Sequence, residues 1–220
     1  MNKYLAEAIG TFALVFCGTG AIVINHETAG VITHSGIAIT FGLIVAAMIY
    51  TLGDISGAHL NPAVSVAFCI AKVFPVKELL PYIISQTTGA FIASFTLYYL
   101  FPTNSTLGST LPAGPPLQSF ILEFILTFLL MLVIMRVAKG SKEQGLFAGI
   151  AIGSVVLLEA MFAGPICGAS MNPIRSIAPA IVSGNTQSLW VYILAPLLGA
   201  IVAVYSYAIL KKEPDSSLRS

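Results

Sequence analysis

Long apolar stretches are the feature that most restricts how this chain can fold. Of its 220 residues only 9% are charged and 57% are hydrophobic, whereas soluble domains carry roughly 25% charged residues. A soluble protein of this size could not cover its surface with so few charges. Because the apolar stretches are long enough to cross about 30 Å of hydrocarbon as helices, an integral membrane protein is predicted. Six spans are predicted, at residues 4–24, 35–53, 78–101, 118–138, 145–162 and 188–210.

The first stretch has one alternative interpretation. Lys3 precedes an apolar run that ends in small residues, which is also the pattern of a cleaved signal peptide. The run is long, contains Glu7, and has a counterpart later in the chain that cannot be a signal. These features favour a spanning helix.

The placement of lysine and arginine predicts the orientation. The loops at 25–34 and 102–117 contain neither residue type. Since short loops rich in Lys and Arg stay cytoplasmic, both termini are predicted to lie on the cytoplasmic side of the cell (plasma) membrane. The net charge of +1 indicates no nucleic-acid partner. Apart from Arg175, the Lys and Arg residues fall on one side of the predicted bundle: Lys3, Lys72, Lys77, Arg136, Lys139, Lys142, Lys211, Lys212 and Arg219.

The two halves of the chain resemble each other. Four short blocks occur twice in the same order, beginning at Glu7, Gly36, Ser56 and Tyr82 and again at Glu123, Gly149, Cys167 and Tyr192. Such a pattern indicates a duplication. Each half has three spans, so the second enters from the opposite face, and inverted repeats place solute sites near the bilayer midplane. The chain 1–220 is predicted to be one channel domain with halves at about 1–110 and 111–212 and a polar tail at 213–220.

Two segments, 56–73 and 167–183, each have a glycine-rich approach, then Asn-Pro, then about ten mostly apolar residues. Proline suits the first turn of a helix, and ten residues reach only about halfway through hydrocarbon. Each segment is therefore predicted to be a half-helix that starts in mid-membrane. Irregular backbone at that depth is tolerable only where it lines a water-filled cavity.

This geometry predicts a site for neutral, hydrogen-bonding solutes. Two helix N-termini, each worth about half a positive charge, face one another and oppose cations. Asn61 and Asn172 can donate side-chain N–H groups to a passing oxygen and cap nearby backbone with their carbonyls. Backbone carbonyls are predicted to line the pore as acceptors at Gly57, Ala58, His59, Gly168, Ala169 and Ser170.

Around these asparagines the sequence closely resembles the aquaporin (major intrinsic protein) family. The residues that carry the resemblance are Ser-Gly-Ala-His-Leu-Asn-Pro-Ala-Val at 56–64 and Gly-Ala-Ser-Met-Asn-Pro-Ile-Arg-Ser at 168–176. The resemblance implies an all-α membrane fold of six transmembrane helices and two re-entrant half-helices in an inverted repeat. It implies a homotetramer in the lipid bilayer with one pore per subunit, and neither enzymatic activity nor a cofactor. The central motifs are then Asn61, Pro62 and Ala63, and Asn172, Pro173 and Ile174, where the family usually has Ala at the last position.

The resemblance also implies a selectivity filter of Phe41, Ala160, Ala169 and Arg175. Arg175 stands out independently, because an ionisable residue inside a membrane is usually functional; a structural ion pair or snorkelling is the alternative. Water-selective relatives typically carry His at position 160. Alanine at both 160 and 169 predicts a wider filter that passes water and solutes such as glycerol. Tyr192-Ile193 resembles the plant nodulin-like subgroup, which includes channels for glycerol, urea and undissociated metalloid acids. Ser176 and Ala180 resemble water-type members, so a strictly water-selective channel is the alternative.

Other polar residues are assigned supporting roles. The resemblance implies that Glu7 and Glu123 accept hydrogen bonds from the backbone of the re-entrant loops. Glu159 has no mate in the first half, and a place at the pore mouth, at a subunit contact or beside a local donor is open. Neither metal-ligand spacing nor a catalytic set occurs among the histidines and cysteines. A secondary transporter also uses broken helices in inverted repeats, but the short loops leave little room for alternating access.

Overall fold

The fold is built of helices of two lengths. The computed structural model describes residues 2–138 and 145–210, which form eight helices and no strand. Two short helices, α3 (Pro62–Ile70) and α7 (Pro173–Ser183), begin at the proline of the two Asn-Pro dipeptides. Six long helices are α1 (Asn2–Glu27), α2 (Thr33–Ser56), α4 (Val76–Leu100), α5 (Pro116–Ala138), α6 (Ala148–Cys167) and α8 (Leu189–Leu210).

Five of the long helices in the described part of the chain combine the length and apolar composition needed to cross a membrane: α1, α2, α5, α6 and α8. The predicted third span, α4, is 25 residues long but is not among these five. It carries Lys77 and Glu78 near its start and the polar run 85–88. Within that run Gln86 is fully buried and hydrogen-bonds Glu7 of α1, so its polarity faces the protein interior rather than lipid.

The helices pack according to the two-fold relation of the halves. α1 packs against α2 and α4, and α5 packs against α6 and α8 in the same way. Each short helix contacts the last long helix of both halves, since α3 and α7 each touch α4 and α8. The two halves meet where α2 packs on α6 and α3 meets α7. This arrangement is an inverted repeat with both half-helices enclosed by the long ones.

Glycines at matching positions allow the closest of these contacts. A Cβ on Gly89 of α4 would overlap the carbonyl of Ala8 in α1, and one on Gly199 of α8 would overlap the carbonyl of Phe124 in α5. Small residues let membrane helices approach this closely. The recurrence of Gly89 and Gly199 in the duplicated sequence therefore reflects one packing contact used twice.

The fifth span extends further than predicted. The sequence predicts an end at 162, before Gly164 and Pro165, but α6 continues through Pro165 to Cys167. It ends at Gly168, whose left-handed backbone (φ 83°) terminates the helix as Gly57 (φ 85°) terminates α2. The first residues of the predicted re-entrant segments, at 56 and 167, thus belong to the preceding long helices.

Candidate functional site

Each short helix is capped by the asparagine that precedes its proline. The side-chain oxygen of Asn61 accepts a hydrogen bond from the backbone N–H of Ala63 at 2.9 Å. Asn172 accepts one from the N–H of Ile174 at 3.2 Å. Both asparagines have extended backbone, as N-cap residues do, and the following proline occupies a helical position where no N–H is needed. Local chemistry therefore starts both helices at this point.

The same asparagines tie the two short helices together. Asn61 Nδ2 donates to the carbonyl oxygen of Met171, and Asn172 Nδ2 donates to the carbonyl oxygen of Leu60, both at 2.8 Å. These reciprocal bonds obey the two-fold relation and place the two helix N-termini against each other. Because a side-chain amide has two N–H donors, each asparagine retains one N–H for a molecule beside it.

Glu7 of α1 holds the loop that precedes α3. Its Oε1 accepts hydrogen bonds from the Ser56 hydroxyl at 2.8 Å and the His59 N–H at 2.9 Å. Its Oε2 accepts from the Leu60 N–H and the Gln86 side-chain amide, both at 2.8 Å. Four charge-assisted bonds offset the desolvation of this fully buried carboxylate. These bonds also turn the N–H groups of the loop toward Glu7. The carbonyl groups on the other side of the loop then remain free to accept hydrogen bonds.

Glu123 of α5 holds the second loop with fewer partners. Its carboxylate is fully buried and accepts the N–H groups of Ser170 at 2.7 Å and Met171 at 2.8 Å. Cys167 occupies the position that corresponds to Ser56 in the first half, and its sulfur lies 3.4 Å from the Ala169 nitrogen. The duplicated acids thus perform the same task, with the first loop held by more bonds than the second.

Left-handed backbone recurs in both loops. It occurs at Gly57, Ala58 and Leu60 in the first loop and at Gly168, Ala169 and Met171 in the second, with φ between 41° and 85°. The four residues that are not glycine are strained there, at about 1–3 kcal/mol each. Such strain persists only where the surroundings over-determine the backbone. The glutamate bonds and the reciprocal asparagine bonds supply that constraint.

A cavity of about 560 Å³ lies beside the junction of the short helices. Much of the cavity wall is apolar, with Leu14, Val45 and Leu130 among the lining residues. The exposed residue Asp54 also lines the cavity. The cavity therefore has one hydrogen-bonding side and apolar walls elsewhere. Nine of the predicted site residues line it: Phe41, Gly57, Ala58, His59, Asn61, Ala169, Ser170, Asn172 and Arg175. The predicted residues Pro62, Ala63, Ala160, Gly168, Pro173 and Ile174 do not.

His59 is held rigidly on the wall of this cavity. Its ring centroid lies 4.7–5.0 Å from those of Phe68, Phe74 and Tyr82. Its Nδ1 lies 3.0 Å from the Ser65 hydroxyl. Packing on three aromatic rings leaves the imidazole a single position, so this histidine shapes the wall rather than moving across it.

Arg175 and Phe41 face each other at the filter position. The Arg175 guanidinium carbon lies 5.0 Å from the centroid of the Phe41 ring, and its Nη1 donates to the carbonyl oxygen of Gly108 at 2.8 Å. Arg175 is only 2% exposed, and its Nε has no partner among the described residues. A fixed cation beside an aromatic ring on the cavity wall suits a solute oxygen.

Comparison with known proteins identifies the family. The family model described as "Major intrinsic protein" matches residues 1–207. The chain belongs to the major intrinsic protein family. It is 45% identical over 212 residues to nodulin-26 of Glycine max, covering 96% of this chain and 78% of that protein. A probable NIP-type aquaporin of Nicotiana alata is 45% identical over 220 residues, covering 100% and 81%. The X-ray structure of the aquaglyceroporin from Plasmodium falciparum matches with a TM-score of 0.83 at 28% identity, covering 94% of each chain.

Family membership settles the broad class of this protein. It is a multi-pass membrane protein, and its family consists of channels rather than enzymes. Among the described residues, no group of three or more His, Cys, Asp and Glu side chains could hold a metal ion. The cysteines Cys17, Cys69 and Cys167 are free thiols.

The unusual Ile174 of this major intrinsic protein packs into the core. It is 3% exposed and belongs to the apolar core of the bundle rather than to the cavity wall. Its backbone N–H still donates to Asn172, so the larger side chain leaves the cap in place. The departure from the family's usual alanine therefore changes packing behind the half-helix rather than the shape of the cavity.

Glu159 lies neither at the cavity wall nor at the subunit surface. It is 3% exposed within a single chain, does not line the cavity, and lies near enough to Glu123 for the two acids to interact electrostatically. Neither of its carboxyl oxygens has a hydrogen-bond partner among the described residues. This burial leaves no surface for a subunit contact, and no local donor meets the carboxyl among the described residues.

Replacing Glu159 by Met should stabilise the protein. The substitution removes a buried, unpartnered carboxyl while nearly conserving its volume, and we expect a gain of about 1–3 kcal/mol in the free energy of unfolding. Glu123→Met is the matched control and should destabilise, because it leaves two loop N–H groups unpaired. Denaturation in detergent micelles measures both. A loss of stability in Glu159→Met would show that this carboxyl is paired in the folded protein.

The loop residue that holds Arg175 is not predictable from the sequence. Gly108 lies between the third and fourth predicted spans, with left-handed backbone (φ 70°), and its carbonyl accepts the arginine's hydrogen bond. Nearby, the Thr110 hydroxyl donates to Ser176, which pairs in turn with Ser170. A glycine in a polar loop signals only a turn. Nothing in its sequence context links it to a residue 67 positions away.

Proposed function

We propose that this protein is a passive channel for water and small uncharged solutes up to about the width of glycerol, which excludes ions and protons. The observation that carries the proposal is the cavity with Asn61, Asn172 and Arg175 on its wall. These residues present hydrogen-bond donors along an otherwise apolar path. A neutral molecule bearing hydroxyl groups can exchange its hydration for such partners.

Electrostatics explain the exclusion of cations. The N-termini of α3 and α7 meet at the asparagine pair, and each contributes about half a positive charge. Arg175 adds a full charge at the filter, in a region where low dielectric strengthens its field. A cation or a hydrated proton would be repelled at both points, whereas a neutral solute would not. The proposed selectivity therefore arises from charge at two separate positions of one path.

The small side chains at two of the four predicted filter positions support passage of solutes larger than water. Phe41 and Arg175 bound the filter on two sides, while Ala160 and Ala169 contribute only methyl groups. The similarity in fold to an aquaglyceroporin agrees with such a width. A strictly water-selective channel is the alternative. The hydroxyl of Ser176, one of the two residues that favour this alternative, is buried in hydrogen bonds with Thr110 and Ser170 rather than lining the cavity.

Topology and assembly complete the proposal. We propose a single channel domain with halves at about 1–110 and 111–212, assembled as a homotetramer in the plasma membrane with one pore per subunit and cytoplasmic termini. The Lys3–Glu78 ion pair, at 2.9 Å, places the starts of α1 and α4 together on the proposed cytoplasmic side. Several cations that predict this orientation lie outside the described residues: Lys139, Lys142, Lys211, Lys212 and Arg219.

Flux in liposomes tests the proposal. We expect water and glycerol permeabilities well above those of protein-free vesicles, measured by stopped-flow light scattering without any ion gradient. We expect no single-channel current in planar bilayers and no added proton leak, because two regions of positive potential oppose every cation. Water flux without glycerol flux would favour the strictly water-selective alternative. A sizeable ionic conductance would refute the electrostatic account.

A further inference from the structure

Gly18 of α1 lies directly behind the Phe41 ring. A Cβ built on this buried glycine would overlap the ring, with two ring atoms, Cδ1 and Cζ, only 2.5 Å away. Real Cβ atoms do not approach other atoms so closely, so the ring occupies space that only glycine leaves open. The position of Phe41 therefore depends on the absence of a side chain at Gly18.

The next residue of α1 supports the opposite side of the filter. A Cβ on Gly108 would lie 2.8–3.0 Å from atoms of Thr19, so the loop at Gly108 rests closely on Thr19. The carbonyl of Gly108 in turn holds Arg175. Of these two consecutive residues of α1, Gly18 thus contacts Phe41, and Thr19 contacts the loop whose carbonyl holds Arg175.

We propose that Gly18 is a specificity-determining positioning residue, which sets how far the Phe41 ring projects into the cavity beside Arg175 and thereby the largest solute that the channel conducts. This inference rests on the proposed function. Gly18 touches no solute, and it acts through the aromatic ring that it allows to withdraw from the path. A side chain at this position would displace the ring into the cavity that Phe41 lines.

The surrounding helices leave the ring no other way to move. Gly42, next to Phe41, packs on α6 so closely that a Cβ there would lie 2.6 Å from the carbonyl oxygen of Gly153. The α2 backbone therefore cannot shift toward α6. α1 is held from behind, where Gly89 of α4 contacts Ala8. Since protein interiors are close-packed, the cavity beside Phe41 is the space available to a displaced ring.

Gly18→Ala tests the proposal through the ratio of glycerol to water flux. We expect this ratio to fall by about tenfold or more, because one added carbon narrows a sterically limited gap. The protein is assayed as full-length chain in liposomes, with flux normalised to the amount of folded protein. Gly20→Ala is the matched control on the same helix, since its Cβ would meet only the flexible end of Leu97 at 3.4 Å. Its fluxes should equal those of the wild type.

A second substitution separates positioning from general damage. Phe41→Leu removes the ring that Gly18 accommodates, so Gly18→Ala should have no effect on the flux ratio in that background. A ratio unchanged in Gly18→Ala, or one that falls equally with and without Phe41, overturns the proposal. If Gly18→Ala alone does not fold, the variant that carries both Gly18→Ala and Phe41→Leu tests the proposal. This double variant must fold and conduct like Phe41→Leu. Wild-type flux tests the proposed function separately. If the wild type conducts water but not glycerol, the role of Gly18 is tested by water flux instead. Water flux should then be lower in Gly18→Ala than in the wild type.

Discussion

Replacing either Asn61 or Asn172 by Leu should abolish channel activity. Each substitution removes a helix cap and a bond to the opposite loop, which leaves one N–H and one carbonyl unpaired in the interior. Each such group costs about 1–3 kcal/mol. The substitution also removes the donor that faces the cavity. We therefore expect folding yield to fall, and water flux per folded protein to approach that of protein-free liposomes.

The reciprocal bonds make the prediction symmetric. Since each asparagine caps its own helix and binds the loop of the other, the two variants should lose flux and thermal stability to a similar degree. Asn185→Leu is a suitable control, because Asn185 also donates two hydrogen bonds, to Ser105 and Ser183, but at a partly exposed loop. It should retain flux. Normal flux in both Asn61→Leu and Asn172→Leu would mean that the conducting path lies elsewhere.

The central part of this site was predictable because its signals are local. An Asn-Pro dipeptide before an apolar run of about ten residues contains the cap, the helix start and the length limit in adjacent positions. Finding it twice, at matching points of a duplication, predicts two half-helices that enter from opposite faces. The structure has these helices at Pro62–Ile70 and Pro173–Ser183.

Helix ends were harder to predict than helix positions. The Gly-Pro pair at 164–165 suggests that the fifth span stops early, yet α6 continues to Cys167. A proline is tolerated within a membrane helix when neighbouring groups satisfy the freed carbonyl. Such compensation depends on which helices lie next to α6, and that information is spread over the whole chain.

The partners of Arg175 and the surroundings of Glu159 could not be predicted from the sequence. Arg175 is recognisable as unusual from its depth in the membrane, but its partner, the carbonyl of Gly108, is a backbone atom that any residue would supply. Glu159 lacks the polar partners of Glu7 and Glu123, and those partners come from distant segments. The local sequence around a lone acidic residue in an apolar helix does not indicate whether its carboxyl group has a hydrogen-bond partner.

Ala160→His should convert the pore into one that selects water over glycerol. Ala160 is buried in α6, one turn after Val156, which lines the cavity. Because residues four apart lie on one helix face, an imidazole at 160 extends toward the cavity that Phe41 and Arg175 line. It both narrows the filter and adds a polar partner for single-file water. We expect glycerol flux to fall by about tenfold or more relative to water flux.

Ala160→Leu separates the two contributions of the imidazole. Leucine narrows the gap without offering a hydrogen bond, so both glycerol and water should pass more slowly than in wild type. The histidine variant should exclude glycerol while its water flux stays close to that of the wild type. Stopped-flow measurements on liposomes with equal protein content compare the three proteins. A proportional loss of both fluxes in Ala160→His would show that the side chain blocks the path rather than filters it. A wild type that already excludes glycerol would show that Phe41 or another wall residue narrows the filter more than the two alanines widen it.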